Sequence, residues 1–193
     1  MCAIIKEVNM NHEFRMYVGP MFGGKTTRML SQAERYTYQG EDLILFKPKI
    51  DERYDSKSIV THTGIKSKAH AVVSGDQIER MVSALLGSDP CVIAVDEAFM
   101  IKGSGQSLVN LFKLGHTILV SSLQLSSDST PYEEIQEMFP YATHVEVCPA
   151  VDPVSKKDAY YTEKYGGRKD HGIEVGGADI YRPRDWSGFF GGN

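Results

Sequence analysis

An apolar pentapeptide, Phe14-Arg15-Met16-Tyr17-Val18, runs straight into Gly19-Pro20-Met21-Phe22-Gly23-Gly24-Lys25-Thr26-Thr27. A strand that turns through G-x-x-x-x-G-K-T into a helix, here expected from Thr27 to about Gln39, narrows the architecture sharply. It implies a parallel sheet whose first crossover begins in a phosphate-binding loop. The glycines let the backbone curl so that successive N–H groups face phosphate oxygens. The helix adds its positive end, Lys25 a point charge and Thr26 a hydroxyl suited to Mg2+. Gly19, Pro20, Met21, Phe22, Gly23, Gly24, Lys25, Thr26 and Thr27 thus form an expected ATP or GTP site.

The rest of the chain keeps the alternation of strand and helix that such a sheet needs. Met29, Leu30, Ala33, Tyr36 and Thr37 are expected on one face of the first helix, which Gly40 ends. Leu43–Phe46 reads as a buried strand, and the polar stretch Ile50–Ala71 as a hairpin or excursion. Ser74-Gly75-Asp76 opens a helix through Ile78, Met81, Val82, Leu85 and Leu86. Cys91–Val95 and Thr117–Val120 are further buried strands, Gly103–Gly115 holds a short helix, Pro131–Phe139 is helical and His144–Val147 is strand-like. The pattern predicts an α/β fold of the P-loop NTPase kind, a parallel sheet with helices on both faces. Residues 1–147 are expected to form this nucleotide-binding domain. After Cys148 the chain turns rich in Gly, Asp, Lys and Tyr, and residues 148–193 are expected as a small C-terminal lobe.

Bulk properties exclude several classes. With 193 residues, 41% hydrophobic and 24% charged, the chain suits one core domain and a small appendage. A net charge of −4 provides no global basic field for a nucleic-acid polymer. Cys2, Cys91 and Cys148 form no C-x-x-C pair and no disulfide framework, and the apolar runs are short for a membrane span. A cytoplasmic setting is expected.

Asp96 follows four apolar strand residues, the Walker B position, where a carboxylate binds Mg2+ alongside the Thr26 hydroxyl. Glu97 is its neighbour and points elsewhere, which makes it the candidate general base. The same carboxylate could orient water in an ATPase, and the residues alone leave both open. Lys47, Asp51 and Arg53 follow the second strand, whose end should open on the phosphate-loop edge. Arg53 could neutralise the transferring phosphoryl group or be a solvated loop arginine.

Together these residues resemble type II thymidine kinases. The shared pieces are Gly19–Thr27, Lys47-Pro48-x-x-Asp51-x-Arg53-Tyr54, Thr61-His62-x-Gly64, Val95-Asp96-Glu97-Ala98, Tyr161-Thr162 and Glu174-Val175-Gly176-Gly177-Ala178-Asp179-x-Tyr181. The resemblance spans about Arg15 to Tyr181. It implies transfer of the ATP γ-phosphate to the 5′-hydroxyl of thymidine, with Mg2+, forming dTMP. It implies Glu97 as base, Arg53 and Lys25 at the phosphates, and Asp51 on the ATP side. The pyrimidine is then held by backbone of a lasso, Ile173, Glu174, Val175, Gly176, Gly177 and Ala178, with Tyr181 against the nucleoside. Met21, Leu123 and Tyr132 fall where the family lines the base pocket. A homotetramer is also implied. The other readings are a shifted pyrimidine preference, a nucleotide-binding module without transfer, and a bare ATPase. Intact Lys25, Thr26, Asp96, Glu97 and Arg53 speak against the module, and the missing basic patch against the ATPase.

The departures are specific. The family usually carries a zinc ribbon built from two C-x-x-C pairs, but here Cys148 is paired with Val151, and the second pair becomes Asp185 and Gly188. One thiolate and one carboxylate do not close a tetrahedral site; His144 or His171 could add a ligand, but the expectation is that the lobe folds without zinc. Its core is expected from Tyr160, Tyr161, Trp186, Phe189 and Phe190. Phe99 stands where the family commonly has Gln, and Ser127 where it has an aromatic wall for the base.

Overall fold

The computed structural model describes residues 12–50, 58–60, 66–167 and 174–191. In chain order the elements are β1 (Phe14–Val18), α1 (Lys25–Tyr38), β2 (Leu43–Pro48), β3 (Ser58–Val60), β4 (Lys66–Lys68), β5 (His70–Val72) and α2 (Gly75–Leu86). Then come β6 (Val92–Asp96), a 3-10 turn (Ala98–Met100), α3 (Ser104–Lys113), β7 (Thr117–Ser122), α4 (Glu133–Met138) and β8 (His144–Val147). The chain ends with β9 (Ala150–Val151), β10 (Asp158–Ala159), β11 (Tyr161–Lys164), β12 (Tyr181–Arg184) and α5 (Trp186–Phe190).

Six strands form one sheet in the order β5-β2-β6-β7-β1-β8, and every pairing in it is parallel. Strands buried on both faces need apolar residues of both parities, and β6 and β7 supply them. Met16, Phe46, Ile93, Val95, Ile118 and Val120 face α2, α3 and α4 through Ile78, Val82, Leu108, Leu111, Ile135 and Met138. The alternate residues Tyr17, Leu45, Val92, Ala94 and Leu119 pack against Met29, Leu30 and Ala33 of α1. Ile59, from the antiparallel β3–β4 pair, joins that second layer. This is the expected α/β sheet with helices on both faces.

Three local readings change. His70–Val72, read as the tail of an excursion, is instead the sheet's edge strand, in register Phe46↔His70 and Pro48↔Val72. Only Val72 of its three residues is buried, which is too short an alternation to register as a strand. Helix α1 begins at Lys25 rather than Thr27, because Gly24 takes a left-handed conformation (φ 73°) and lets the helix start directly out of the loop. Thr37 is exposed, so the buried face of α1 ends one turn earlier.

Beyond β8, β9 pairs with β10 and β11 with β12, both antiparallel. Tyr161 stacks on Phe189 with ring centroids 5.1 Å apart and meets Phe190 edge-on at 4.9 Å. Tyr160, Phe190 and Trp186 are 40%, 45% and 64% exposed, so the expected five-ring core contracts to the Tyr161–Phe189 stack, with Phe190 and Trp186 packed at its rim. The buried places go to Ala159, Thr162 and two carboxylates, Asp152 and Asp185. No helix among the described residues is long and apolar enough to cross a membrane.

Candidate active site

In an open parallel sheet a ligand binds beyond the carboxyl ends of the strands, and here β1, β6 and β7 end together. The loop after β1 curls by placing Gly24 and Phe22 in left-handed conformations, at φ 73° and 67°. For a phenylalanine that backbone costs roughly 1–2 kcal/mol, a strain stored where the phosphates are expected. Lys25 is buried and its Nζ donates to the Pro20 carbonyl at 2.7 Å, across the mouth of the loop. The loop rests on the backbone at the end of β8. A methyl added at Gly19 or Gly23 would meet the Cys148 carbonyl oxygen at 2.3 or 2.4 Å. Cys148 is itself fixed there, its N–H donating to the Val18 carbonyl at 2.7 Å.

The Thr26 hydroxyl donates to Asp96 Oδ1 at 2.8 Å and lies 3.4 Å from the Ser121 hydroxyl. Asp96 and Ser121 are register partners on β6 and β7, so a fixed sheet holds the carboxylate against the helix start. Hydroxyl and carboxylate meeting at one point is a donor set that fits Mg2+, which takes few protein ligands and completes its shell with phosphate and water. Among the described residues no group of three or more His, Cys, Asp or Glu side chains is placed to hold a metal ion.

Glu97 turns the chain out of β6 with a left-handed backbone (φ 49°, ψ 47°), and its carbonyl accepts from the Met100 N–H at 3.0 Å. Burial, with the nearby Tyr181 and then the Glu97 charge, holds the Tyr132 hydroxyl well above the ordinary tyrosine pKa. Glu97 and Tyr181 are thus near enough to Tyr132 for their charges to act on it. The Tyr132 ring packs against Phe99 at 4.5 Å, and Met21 and Leu123 belong to the same apolar cluster.

The segment from Glu174 is tied to β11 and β12 by its own polar groups. Glu174 pairs with Lys164 at 2.9 Å, and the Tyr181 hydroxyl donates to the Glu174 carbonyl at 2.9 Å. The N–H groups of Ile180 and Tyr181 both donate to the Gly177 carbonyl, and the Tyr165 hydroxyl donates to the Ala178 carbonyl. A bond joins this region to the phosphate loop: the Met21 N–H donates to Thr162 Oγ1 at 2.9 Å.

The structure thus gathers Gly19–Thr27 and Asp96 at one point and Glu97, Tyr132 and Tyr181 beside them. Val175 and Gly176 lie in the half-buried segment between Glu174 and Gly177. Asp51, Arg53 and Ile173, and with them His171, lie outside the described residues. Lys47 is buried at the end of β2. Ser121 was missed, although a Ser-Ser pair closing an apolar strand was its signal. The Cys148 carbonyl, a backbone group, had none.

A family model described as thymidine kinase matches residues 12–184. The chain belongs to the thymidine kinase family. A thymidine kinase of Pyrobaculum aerophilum is 30% identical over 172 residues, covering 86% of this chain and 92% of that protein. One of Thermococcus kodakarensis is 31% identical over 173 residues, covering 86% and 88%. The activity that goes with the family is a phosphotransfer from ATP to a nucleoside. Among the described residues, those standing at the family's zinc positions do not form a zinc site. Cys148 is buried with its thiol toward the Glu146 carbonyl, Val151 is an exposed hydrocarbon, and Asp185 Oδ1 is engaged by the Gly188 N–H at 2.7 Å. His144 begins the strand that Cys148 follows, about 13 Å away at strand rise.

Proposed function

We propose that this protein transfers the γ-phosphate of ATP to the 5′-hydroxyl of thymidine, making dTMP, as a cytoplasmic homo-oligomer, tetrameric by family likeness. The observation that carries the reading is the Met21–Thr162 bond, which couples the phosphate loop to β11 and so to its partner β12, which begins at Tyr181. Loop N–H groups and Lys25 hold the triphosphate. Thr26 and Asp96 would hold Mg2+, which when bound supplies charge neutralisation between the phosphates. Glu97 accepts the 5′-hydroxyl proton, and Arg53 and Asp51 complete the phosphate side. Phosphoryl transfer has a loose transition state, so these groups act mainly by positioning and by countering charge. Backbone from Ile173 to Ala178 reads the pyrimidine edge, with Met21, Leu123, Tyr132 and Tyr181 around the ring. Residues 1–147 act as the donor domain and 148–193 as the nucleoside lobe.

A second reading, another pyrimidine nucleoside as acceptor, is favoured by Ser127, which leaves one side of the pocket without an aromatic. Transfer of labelled γ-phosphate to each pyrimidine nucleoside decides between them. Thymidine should be the best acceptor; another pyrimidine as best acceptor establishes the second reading. No transfer to any nucleoside under saturating Mg·ATP overturns the kinase reading.

A further inference from the structure

Asp152 carries a side chain with no solvent exposure, in a segment short of apolar residues. Its Oδ1 accepts from the N–H groups of Val154 at 2.7 Å and Ser155 at 3.2 Å. Its Oδ2 accepts from the Asp185 N–H at 2.9 Å, thirty-three positions away in sequence. Arg184 approaches Oδ1 at 3.6 Å, and its guanidinium also lies 3.3 Å from Glu163. Asp185 repeats the device on its own side, Oδ1 accepting from the Gly188 N–H at 2.7 Å and capping α5. Each carboxylate thus organises a tight turn, Asp152 after β9 and Asp185 after β12, and Asp152 ties the two turns together. Burial pushes its carboxyl pKa up, but the three N–H bonds and the Arg184 charge together hold it below the ordinary aspartate value. The group is therefore an anion at neutral pH, as three N–H donors require.

The first turn directly follows Cys148–Val151 and the second spans Asp185–Gly188, the two places where the donor set fails for zinc. We propose that Asp152 replaces the joining role of a metal ion here and is a positioning residue for nucleoside binding, acting through β12. The path is short. Asp152 holds Arg184 and the Asp185 N–H at the end of β12, and β12 is zipped to β11 through Arg184↔Tyr161, Pro183↔Thr162 and Tyr181↔Lys164. Thr162 bonds the Met21 N–H of the phosphate loop, and Tyr181, at the start of β12, holds the Glu174 carbonyl. A buried carboxylate in a set of N–H donors fixes backbone directions as a metal centre does, without thiolates or their oxidation.

The inference rests on the nucleoside kinase reading for its kinetic arm only. Asp152→Asn preserves shape but removes the charge and turns an NH2 toward N–H donors. It should raise the KM for thymidine tenfold or more, leave the KM for ATP within twofold and lower Tm, while Asp152→Glu recovers part of both losses. Unchanged thymidine KM and Tm in Asp152→Asn overturn the proposal. So does near-stoichiometric zinc in the purified wild type, or a Tm that falls when a zinc chelator is added. If Asp152→Asn does not fold, hydrogen exchange on the wild type decides. The Val154, Ser155 and Asp185 amides should be strongly protected with chelator present, and free exchange at all three overturns the proposal. If the wild type phosphorylates no nucleoside, the kinase reading fails, while the exchange and chelator results still test Asp152.

Discussion

Gly23 occupies a position that G-x-x-x-x-G-K-T leaves open to any residue, yet the structure leaves it no room for a side chain. In Gly23→Ala the new Cβ would lie 2.4 Å from the Cys148 carbonyl oxygen. A relaxed carbon–oxygen approach is about 3.3–3.6 Å, so the two backbones must part by about 1 Å. Cys148 cannot yield easily, because it is fully buried and its N–H is bonded to Val18 at 2.7 Å. The phosphate loop must move instead. Overpacking of this kind costs about 1–3 kcal/mol, or roughly 2–12 °C in Tm for a chain of this size. The same 1 Å, passed to Lys25 and the loop N–H groups, should lower kcat/KM for ATP by about 100-fold. Initial rates at saturating thymidine with ATP varied, beside a calorimetric melt, measure both. Gly24→Ala is the comparison, since its Cβ meets nothing within 4 Å and only the left-handed φ of 73° is strained. Wild-type ATP kinetics and Tm in Gly23→Ala would refute the contact argument.

Four other outcomes are expected. Glu97→Gln should lower kcat by about 10²–10⁴ with ATP affinity little changed, and comparable turnover would remove it as base. Thr26→Ala and Asp96→Asn should each raise the Mg2+ concentration needed for half-maximal rate by tenfold or more, read from Mg2+ titrations at fixed ATP; an unmoved midpoint speaks against the shared site. Phe99→Leu keeps the side chain apolar but loses the ring contact with Tyr132, worth about 0.5–1.5 kcal/mol, so the thymidine KM should rise about 2- to 12-fold while the ATP KM holds. Burial, with the Asp42 charge, pushes the Cys91 thiol from an ordinary 9.0 up to about 12. A raised folded pKa means its contribution is complete below pH 9 and is lost as pH climbs to 12, at up to about 1.4 kcal/mol per pH unit. Tm should therefore fall less steeply across that window in Cys91→Ala, and equal slopes would count against the argument.

Most of the sheet could be read in the residues because β2, β6 and β7 are continuous apolar runs with glycine or proline near their ends. β5 could not, since three residues with one buried side chain carry no period. At the site, Lys25, Thr26 and Asp96 came from motifs whose spacing is imposed by phosphate geometry, and the fold brings Thr26 and Asp96 within bonding distance. The floor of the loop was hidden because it is the carbonyl of Cys148, and sequence records side chains. The aromatic core of the C-terminal segment was misjudged for a related reason. Five rings looked like the only material for a core, whereas Tyr160, Phe190 and Trp186 are largely exposed and two buried carboxylates that accept from backbone N–H groups hold the turns. Carboxylates read as surface residues until their donors are seen.

Strand β1 sits between β7 and β8, so it leaves the ribosome with neither neighbour until residues 117–147 have been made. At about 5–20 residues per second, several seconds pass in which the phosphate-binding sequence exists without its fold. The Met21–Thr162 bond closes later still, over 141 positions. Topologies dominated by such distant pairings fold slowly, and the waiting strand is apolar. Nascent chains of this protein therefore depend on protection of Phe14–Val18 during synthesis, and a chain that stops before β8 is an aggregation-prone species rather than half an enzyme.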